Sequence, residues 1–429
     1  MTMMTATTPL LDAAAPDLPA HLRRNGQVPW HGGPTRLVRT VEAAGLTGRG
    51  GAGFPTWRKL AAVALGDRAV VVANGAEGEP ASAKDRTLLN RLPHLVLDGL
   101  QLAAECVGAE VAYMYAPATA TIENALRQRR GARIDRIPVR LVAAPERFVS
   151  GEESAVVAAI EGRRALPRDK ARRVVEAGVR GRPTLVQNVE TLAHLALLAR
   201  HGAEWFRCRG THEEPGTFLA TVSGAVAVPG VYELPYGVPL DGVLARAGGA
   251  AEPLRALLVG GFHGAWVPAN AAHTPVSRAG LRPFGASPGA GVVIALAPRP
   301  RSGDRGTAPH RPRHRSRRLP PPGRHRALRP QQPHHVRHGD RRASSRPVHR
   351  GWPTHRRAPT MSTARLHIDW TACDGRGVCA ELLPEILRRD EWGFPLTRDP
   401  EPAVPEPLEG HARRAVRDCP RLALRIIRS

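Results

Sequence analysis

Sixty-two consecutive residues, Arg299 to Thr360, decide how this chain of 429 residues can be laid out. They contain no Glu, Lys, Ile, Phe, Tyr, Met, Asn or Cys, while Arg, Pro and His dominate. Such a stretch cannot bury enough apolar surface to offset the entropy of ordering, so it reads as a disordered linker. Its 18 Arg against 2 Asp place +16 of the chain's net +24 in this one segment, leaving +8 for everything else. The basic balance is therefore local. With one aromatic, Trp352, the segment offers no stacking platform, which argues against the alternative of a nucleic-acid-binding protein acting through it. At Met361 ordinary composition resumes abruptly, and Met361-Ser362-Thr363 looks like a protein start. An out-of-frame reading of a GC-rich gene, joining two coding regions, would produce this pattern. A genuine Arg/His-rich linker is the other reading.

The globular parts on either side differ in texture. Residues 1–35 are rich in Pro, Ala and Thr and read as a leader that packs late or stays mobile. Over 36–212, short β-branched runs alternate with longer Ala/Leu segments. Ala69 to Asn74, Val111 to Tyr115 and Val139 to Val142 read as strands, with helices over His94 to Ala104 and Ala118 to Arg130. This alternation predicts an α/β domain with a largely parallel, Rossmann-like sheet. From 213 to 298 strands at Thr217 to Ser223, Val231 to Leu234 and Ala256 to Val259 flank a short helix, Leu240 to Ala247, ended by Gly248-Gly249. That is a small α+β module with its own core. Residues 361–429 form a third unit, again α+β. No run of about 18 apolar residues and no signal-peptide pattern occurs, so no membrane span is expected and the cytoplasm is the default location.

Three of the five cysteines, Cys373, Cys379 and Cys419, lie in the last unit. Cys373 and Cys379 flank Asp374-Gly375-Arg376-Gly377-Val378, and Cys419 is followed by Pro420. Iron–sulfur clusters need thiolates converging on one small volume, which a tight Gly-rich loop and a distant Cys-Pro deliver. The glycines let the loop curl and aim N–H groups at the sulfides. His367-Ile368-Asp369 and Ala423 to Ile426 would pair as terminal strands, returning the distant cysteine to the loop. A four-iron cluster would want a ligand at position 376, where Arg376 stands. Three thiolates therefore favour [3Fe-4S], with [4Fe-4S] as the alternative, while zinc would want a fourth ligand. The pattern resembles the small three-iron ferredoxins that serve bacterial oxygenases, over Met361 to Ser429. That resemblance implies a redox partner protein. Cys106 and Cys208 read as ordinary buried or half-buried thiols.

Four further motifs precede the linker. Gly45-Leu46-Thr47-Gly48-Arg49-Gly50-Gly51-Ala52-Gly53-Phe54-Pro55-Thr56 is a Gly-rich loop ahead of a helix containing Lys59. Glycines allow close backbone approach to a phosphate, and a helix N-terminus with a lysine supplies positive potential. Asn74-Gly75-Ala76-Glu77-Gly78-Glu79-Pro80 follows a buried strand, where ligand loops sit in open α/β sheets. Ser150-Gly151-Glu152-Glu153 and Gln187-Asn188-Val189-Glu190-Thr191 complete the set. Carboxylates and amides in such loops can grip ribityl or ribose hydroxyls, although helix capping is the alternative for any single Glu. In this order and spacing the blocks resemble the NADH-binding, FMN-carrying flavoprotein subunit of respiratory complex I and related hydrogenase subunits. The resemblance spans about Gly45 to Leu296, including a soluble-ligand-binding β-grasp module. It implies that Gly48, Arg49, Gly50, Gly51, Lys59, Asn74, Glu77, Glu79, Gly151, Glu152, Glu153 and Asn188 surround FMN, while the ferredoxin resemblance gives Cys373, Cys379 and Cys419 as the cluster ligands. No protein side chain is assigned as catalytic, because the flavin carries the hydride chemistry.

The chain departs from that family in three places: first, Asn74-Gly75-Ala76-Glu77-Gly78-Glu79-Pro80 replaces the family's Asn-Ala-Asp-Glu-Ser-Glu-Pro, losing one carboxylate and one hydroxyl. Lys170-Ala171-Arg172-Arg173-Val174 stands where the family has Lys-Pro-Pro-Phe-Pro. No cysteine occurs between Cys208 and Cys373, so the family's Cys-x2-Cys-x2-Cys cluster motif has no counterpart there. The expected function is an NADH dehydrogenase-like oxidoreductase, passing electrons from a reduced nucleotide through FMN to an iron–sulfur ferredoxin. Its partner is an oxygenase or another dehydrogenase subunit. The alternative is a damaged flavoprotein in which only the ferredoxin end carries electrons.

Overall fold

The strand Val70–Asn74 sets the architecture, because it is buried on both sides. Val70 and Val72 pack into one apolar cluster with Tyr113, Tyr115 and Val186, while Val71 and Ala73 pack into another with Leu100, Leu192 and Met114. A strand sandwiched this way belongs at the centre of a parallel sheet covered on both faces. The computed structural model describes residues 10–11, 16–167, 172–298, 364–369, 372–373, 375, 377–389, 393–397, 399, 401–419 and 421–428. The Arg-rich stretch from Arg299 to Thr360 lies outside the described residues, as do Lys170, Arg376 and Pro420.

The first domain runs α1 (Leu18–Asn25), α2 (Pro34–Ala44), α3 (Thr56–Ala64), β1 (Val70–Asn74), α4 (Lys84–Arg91), α5 (Pro93–Cys106), β2 (Val111–Ala116), α6 (Ala120–Ala132), β3 (Val139–Ala143), α7 (Glu153–Ile160), β4 (Thr184–Asn188) and α8 (Val189–Arg207). Its four strands are all parallel, in the order β3-β2-β1-β4. α5 is buried along nearly its whole length and lies against α8. Their approach is close: a Cβ at Gly99 would stand 1.9 Å from the carbonyl oxygen of Leu192, so only glycine fits.

The second domain contains β5 (Thr217–Gly224), β6 (Gly230–Pro235), α9 (Leu240–Arg246), β7 (Ala256–Val259), β8 (Ala265–Pro268), α10 (Arg278–Leu281) and β9 (Val292–Leu296). Its mixed five-stranded sheet has the order β6-β5-β9-β7-β8 around a separate core that includes Phe218, Leu240 and Leu257. After the linker come β10 (Ala364–Ile368), α11 (Val378–Leu382), β11 (Arg388–Arg389), β12 (Pro395–Leu396), α12 (Glu409–Asp418) and β13 (Leu424–Arg428). β10 and β13 pair antiparallel, with Ile368 opposite Leu424. The described residues up to Pro298 and those from Ala364 onward belong to one compact unit. Among the described residues no helix is long and apolar enough to cross a membrane.

One expectation, that for Cys208, is corrected here. Part of the leader is built into the fold: Leu10 is fully buried, and Leu10 N donates to the Glu233 carboxylate at 2.8 Å. Asp17 caps α1 by accepting from Ala20 N. Cys208 is exposed rather than buried, because it sits just past the end of α8. Cys106 is buried as expected, and burial pushes its thiol up to about 12.

Candidate cofactor site

β1 and β4 lie side by side, and Asn74 stands directly opposite Asn188 at their carboxyl ends. From β1 the chain moves outward through β2 and β3, then returns on the other side as β4. Open parallel sheets leave a ligand crevice at this change of direction. α3, α7 and α8 each follow one of the motif loops, so their N-termini bring positive potential towards the same edge. A cavity of about 560 Å³ opens here, within the roughly 300–1,000 Å³ usual for small-molecule sites.

Gly48, Gly50, Lys59, Asn74, Gly151, Glu152, Glu153 and Asn188 line this cavity. The chain thus gathers eight of the twelve expected cofactor residues from four distant segments. Local bonds set each one. Asn74 Nδ2 donates to Gly151 O at 2.8 Å, and its Oδ1 accepts from Ala76 N, which ties the loop after β1 to the Gly-Glu-Glu loop. Glu152 caps α7 through Ser154 N and Ala155 N. Lys59 pairs with Glu153, both side chains about four-fifths buried. Asn188 caps α8 by accepting from Glu190 N at 3.0 Å.

The other four do not line the cavity. Arg49 is buried and turned away: its guanidinium donates to Thr217 O and Thr47 Oγ1 and stacks over Tyr236, 4.7 Å from the ring centroid. It pins the Gly-rich loop to the second domain. Gly51 faces the backbone of Gly289 and Ala290. Glu77 accepts from Ser82 Oγ, Asp85 N and Arg86 N at the start of α4. Glu79 accepts from Phe262 N at 2.8 Å. Gly78, between those glutamates, is packed so tightly that a Cβ would stand 2.2 Å from Phe148 O.

The groups along this edge suit an anionic, hydrogen-bonding ligand. No side chain caps α3, whose preceding residue is Pro55, and the first turn of that helix contributes Arg58 and Lys59 to the cavity. An uncapped helix N-terminus beside a lysine is a ready phosphate seat. Gln187, also in the lining, has a buried Nε2 without a hydrogen-bond partner among the described residues. A ligand carbonyl would satisfy it. Gln187 stood inside a recognised motif, yet nothing in the sequence marked its amide as unpaired. These features fit FMN.

Behind Asn188 lies a buried charge cluster that sequence reasoning missed. Lys84 Nζ sits 2.7 Å from Asp85 Oδ1 and 2.9 Å from Glu190 Oε2, all three buried. Asn188 Nδ2 donates to Asp85 Oδ2 at 2.8 Å, and Glu190 accepts from Leu219 N. Burial alone would lower Lys84, but Asp85 and Glu190 more than offset it and its value rises. Burial raises Asp85 to about 6 against the pull of Lys84. Glu190 goes the other way: Lys84 and His194 outweigh burial and hold it at about 2.

At the far end of the chain, Cys379 opens α11 and Cys419 follows α12, both packed against the small core of that domain. Burial raises the Cys379 thiol, and the nearby Cys419 adds to the effect. Ala423 N donates to Cys419 Sγ at 3.4 Å, the kind of contact that stabilises a cluster thiolate. A single metal ion would gather its ligands about one point, and no group of that kind occurs among the described residues. Cys373 also lines the 560 Å³ cavity, together with Asp369 and Phe394.

Comparison with known proteins identifies the domains. The Nuo51 FMN-binding domain family matches residues 41–197, the SLBB domain family residues 219–261, and the 4Fe-4S single cluster domain family residues 366–426. The second F-type subunit of NADH-quinone oxidoreductase in Rhizobium meliloti is 34% identical over 282 residues, covering 61% of this chain and 67% of the relative. The alpha subunit of the NAD-reducing hydrogenase HoxS of Cupriavidus necator is 35% identical, covering 54% and 41%. The F-type subunit of NADH-quinone oxidoreductase in Streptomyces coelicolor is 34% identical, covering 50% and 52%. The chain thus spans two thirds of the first relative and about half or less of the other two. Among solved structures, the air-oxidised NAD+-reducing [NiFe]-hydrogenase superposes with a TM-score of 0.54 at 36% identity, covering 61% of this chain and 46% of that one. With its FMN-binding domain, SLBB domain and single-cluster iron–sulfur domain, the chain belongs to the F-type flavoprotein family of NADH dehydrogenase-type oxidoreductases.

Proposed function

We propose that this chain oxidises a reduced nicotinamide nucleotide, with FMN held in the cavity between Asn74 and Asn188, and delivers the electrons singly through a [3Fe-4S] cluster on Cys373, Cys379 and Cys419. The observation that carries the reading is the convergence of eight motif residues from four segments on one cavity at the β1/β4 edge. A bound FMN would supply the conversion between a two-electron hydride donor and one-electron acceptors.

The chain's own residues seat and orient it. The uncapped start of α3 and Lys59 hold the phosphate. Gly48 and Gly50 permit close backbone approach. Asn74, Glu152, Glu153 and Asn188 face the polar edges of the ligand, each braced by its own bonds to backbone or to a charged neighbour. Arg49, Glu77 and Glu79 contribute by fixing loops. Three thiolates, with Arg376 in place of a fourth, support the three-iron form over the four-iron one. The electrons then pass to a redox partner in the cytoplasm, of oxygenase type or another dehydrogenase subunit.

The test is the visible spectrum of the anaerobically purified protein before and after adding NADH. A flavin band and broad iron–sulfur absorbance, both bleached by NADH, are expected. Iron–sulfur absorbance without a flavin band would refute the reading and leave only the ferredoxin end as an electron carrier.

A further inference from the structure

One wall of the flavin cavity is not made by the flavin domain at all. Ile368, Asp369, Cys373, Phe394 and Leu396 from the C-terminal domain close it. The two walls match chemically. Phe54, on the loop that seats the cofactor, meets Phe394 edge to face with ring centroids 5.7 Å apart, an arrangement aromatic pairs favour beyond simple burial. Arg58, Arg172 and Arg173 on the flavin side line the cavity with Asp369 and Glu401 on the other, with Arg173 also paired to Glu176 and Glu401 to His367 on their own sides. Complementary charge of this kind sets orientation and encounter rate. Arg172 forms no ion pair or hydrogen bond among the described residues and is exposed, so it is available for an approaching acidic surface.

We propose that this face of the flavin domain is the docking surface for the chain's own ferredoxin domain, and that docking places Cys373 at the cofactor's exit so that electrons leave the flavin directly into the cluster, with no further subunit between them. This rests on the preceding functional reading. A hydride from the nicotinamide and one solvent proton load the flavin with two electrons and two protons. From a bound flavin the electrons would cross singly to a cluster held by Cys373, Cys379 and Cys419, each leaving to a one-electron acceptor protein before the next. Both protons return to water. Cys373 connects the two sites because it is at once a cavity-lining residue and a cluster ligand. The family's own cluster motif is absent from this chain, so the docked domain takes over the position of first acceptor.

The test uses the full chain and two variants, Leu396→Glu and Phe394→Ala, neither altering a cluster cysteine or a flavin-seating loop. Collisional quenching of bound-flavin fluorescence by iodide reads whether the mouth is closed. Stopped-flow mixing with NADH reads flavin and cluster bleaching separately. In the parent the flavin is expected to be shielded from iodide, with cluster bleaching following flavin bleaching closely. In both variants the quenching constant should rise at least threefold and cluster bleaching should slow at least tenfold. Equal quenching in all three proteins, with cluster bleaching at the parental rate, overturns the docking proposal while the flavin reading stands. A parent protein that binds no flavin overturns both.

Discussion

Replacing Lys84 by methionine tests whether the charge cluster behind Asn188 holds the flavin domain together. Methionine matches the length of the lysine stem and leaves no cavity, so the perturbation is the charge. Lys84 touches Asp85 at 2.7 Å and Glu190 at 2.9 Å, and its own side chain is 3% exposed. Removing one member of a buried ion pair leaves an uncompensated charge and costs about 3–5 kcal/mol. Two carboxylates are stranded here, but each keeps a donor, Asn188 Nδ2 for Asp85 and Leu219 N for Glu190. The lower half of that range, about 3–4 kcal/mol at pH 8, is therefore expected. The loss should depend on pH in a defined direction. Asp85 has a folded-state value raised to about 6, so its ionisation already weakens the fold as pH rises from its ordinary range through 6. Without Lys84 that penalty grows. Acidification to pH 5 removes it by protonating Asp85, so the deficit should shrink by about 1 kcal/mol or more. Urea unfolding followed by far-ultraviolet circular dichroism at both pH values measures this, with Lys84→Arg as the charge-preserving control. A loss below about 1 kcal/mol at pH 8, or an equal loss at the two pH values, would refute the reasoning.

Two further outcomes are expected. Asn74→Ala removes the bond to Gly151 O and frees the Gly-Glu-Glu loop. At about 1–2 kcal/mol for such a bond, flavin should bind roughly five- to thirtyfold more weakly, read by fluorescence titration of the apoprotein. Unchanged affinity would show that the loop needs no such tether. His94 is held down at about 4 by burial, with Arg129 and His21 adding to the effect. Its stabilising contribution is complete above the ordinary histidine range and is lost as pH falls from there towards 4. The urea midpoint should therefore drop between pH 7 and pH 5, and His94→Gln should flatten that slope; an identical slope in the variant would exclude His94 as the cause.

Much of the fold was legible because its strands announce themselves. Val70 to Asn74 is a continuous apolar run, and strands buried on both faces need that. The motif loops were legible because glycines and amides after a strand have few other uses. What stayed hidden depended on partners far along the chain. Arg49 in a Gly-rich loop reads as a phosphate ligand, yet Thr217 and Tyr236 claim its guanidinium from the second domain. Glu77 looks like a ligand carboxylate and caps α4 instead. Leu10 looked like part of a mobile leader, but Glu233 holds its backbone from the other half of the molecule. The Lys84 cluster was invisible for the same reason: a lysine beside an aspartate reads as solvated surface until Glu190 is brought to it. Nor does any local pattern reveal that Phe394 will face Phe54.

The pairing of Asn74 with Asn188 has a consequence for how the molecule is made. A strand displaced by one residue turns every side chain to the opposite face, so a misregistered β4 would no longer set Asn188 opposite Asn74. A ligand gripped by the last residue of two neighbouring strands can bind only the correctly aligned sheet. Because whatever binds the native state alone stabilises it by mass action, a cofactor held there would favour correctly aligned chains over slipped ones.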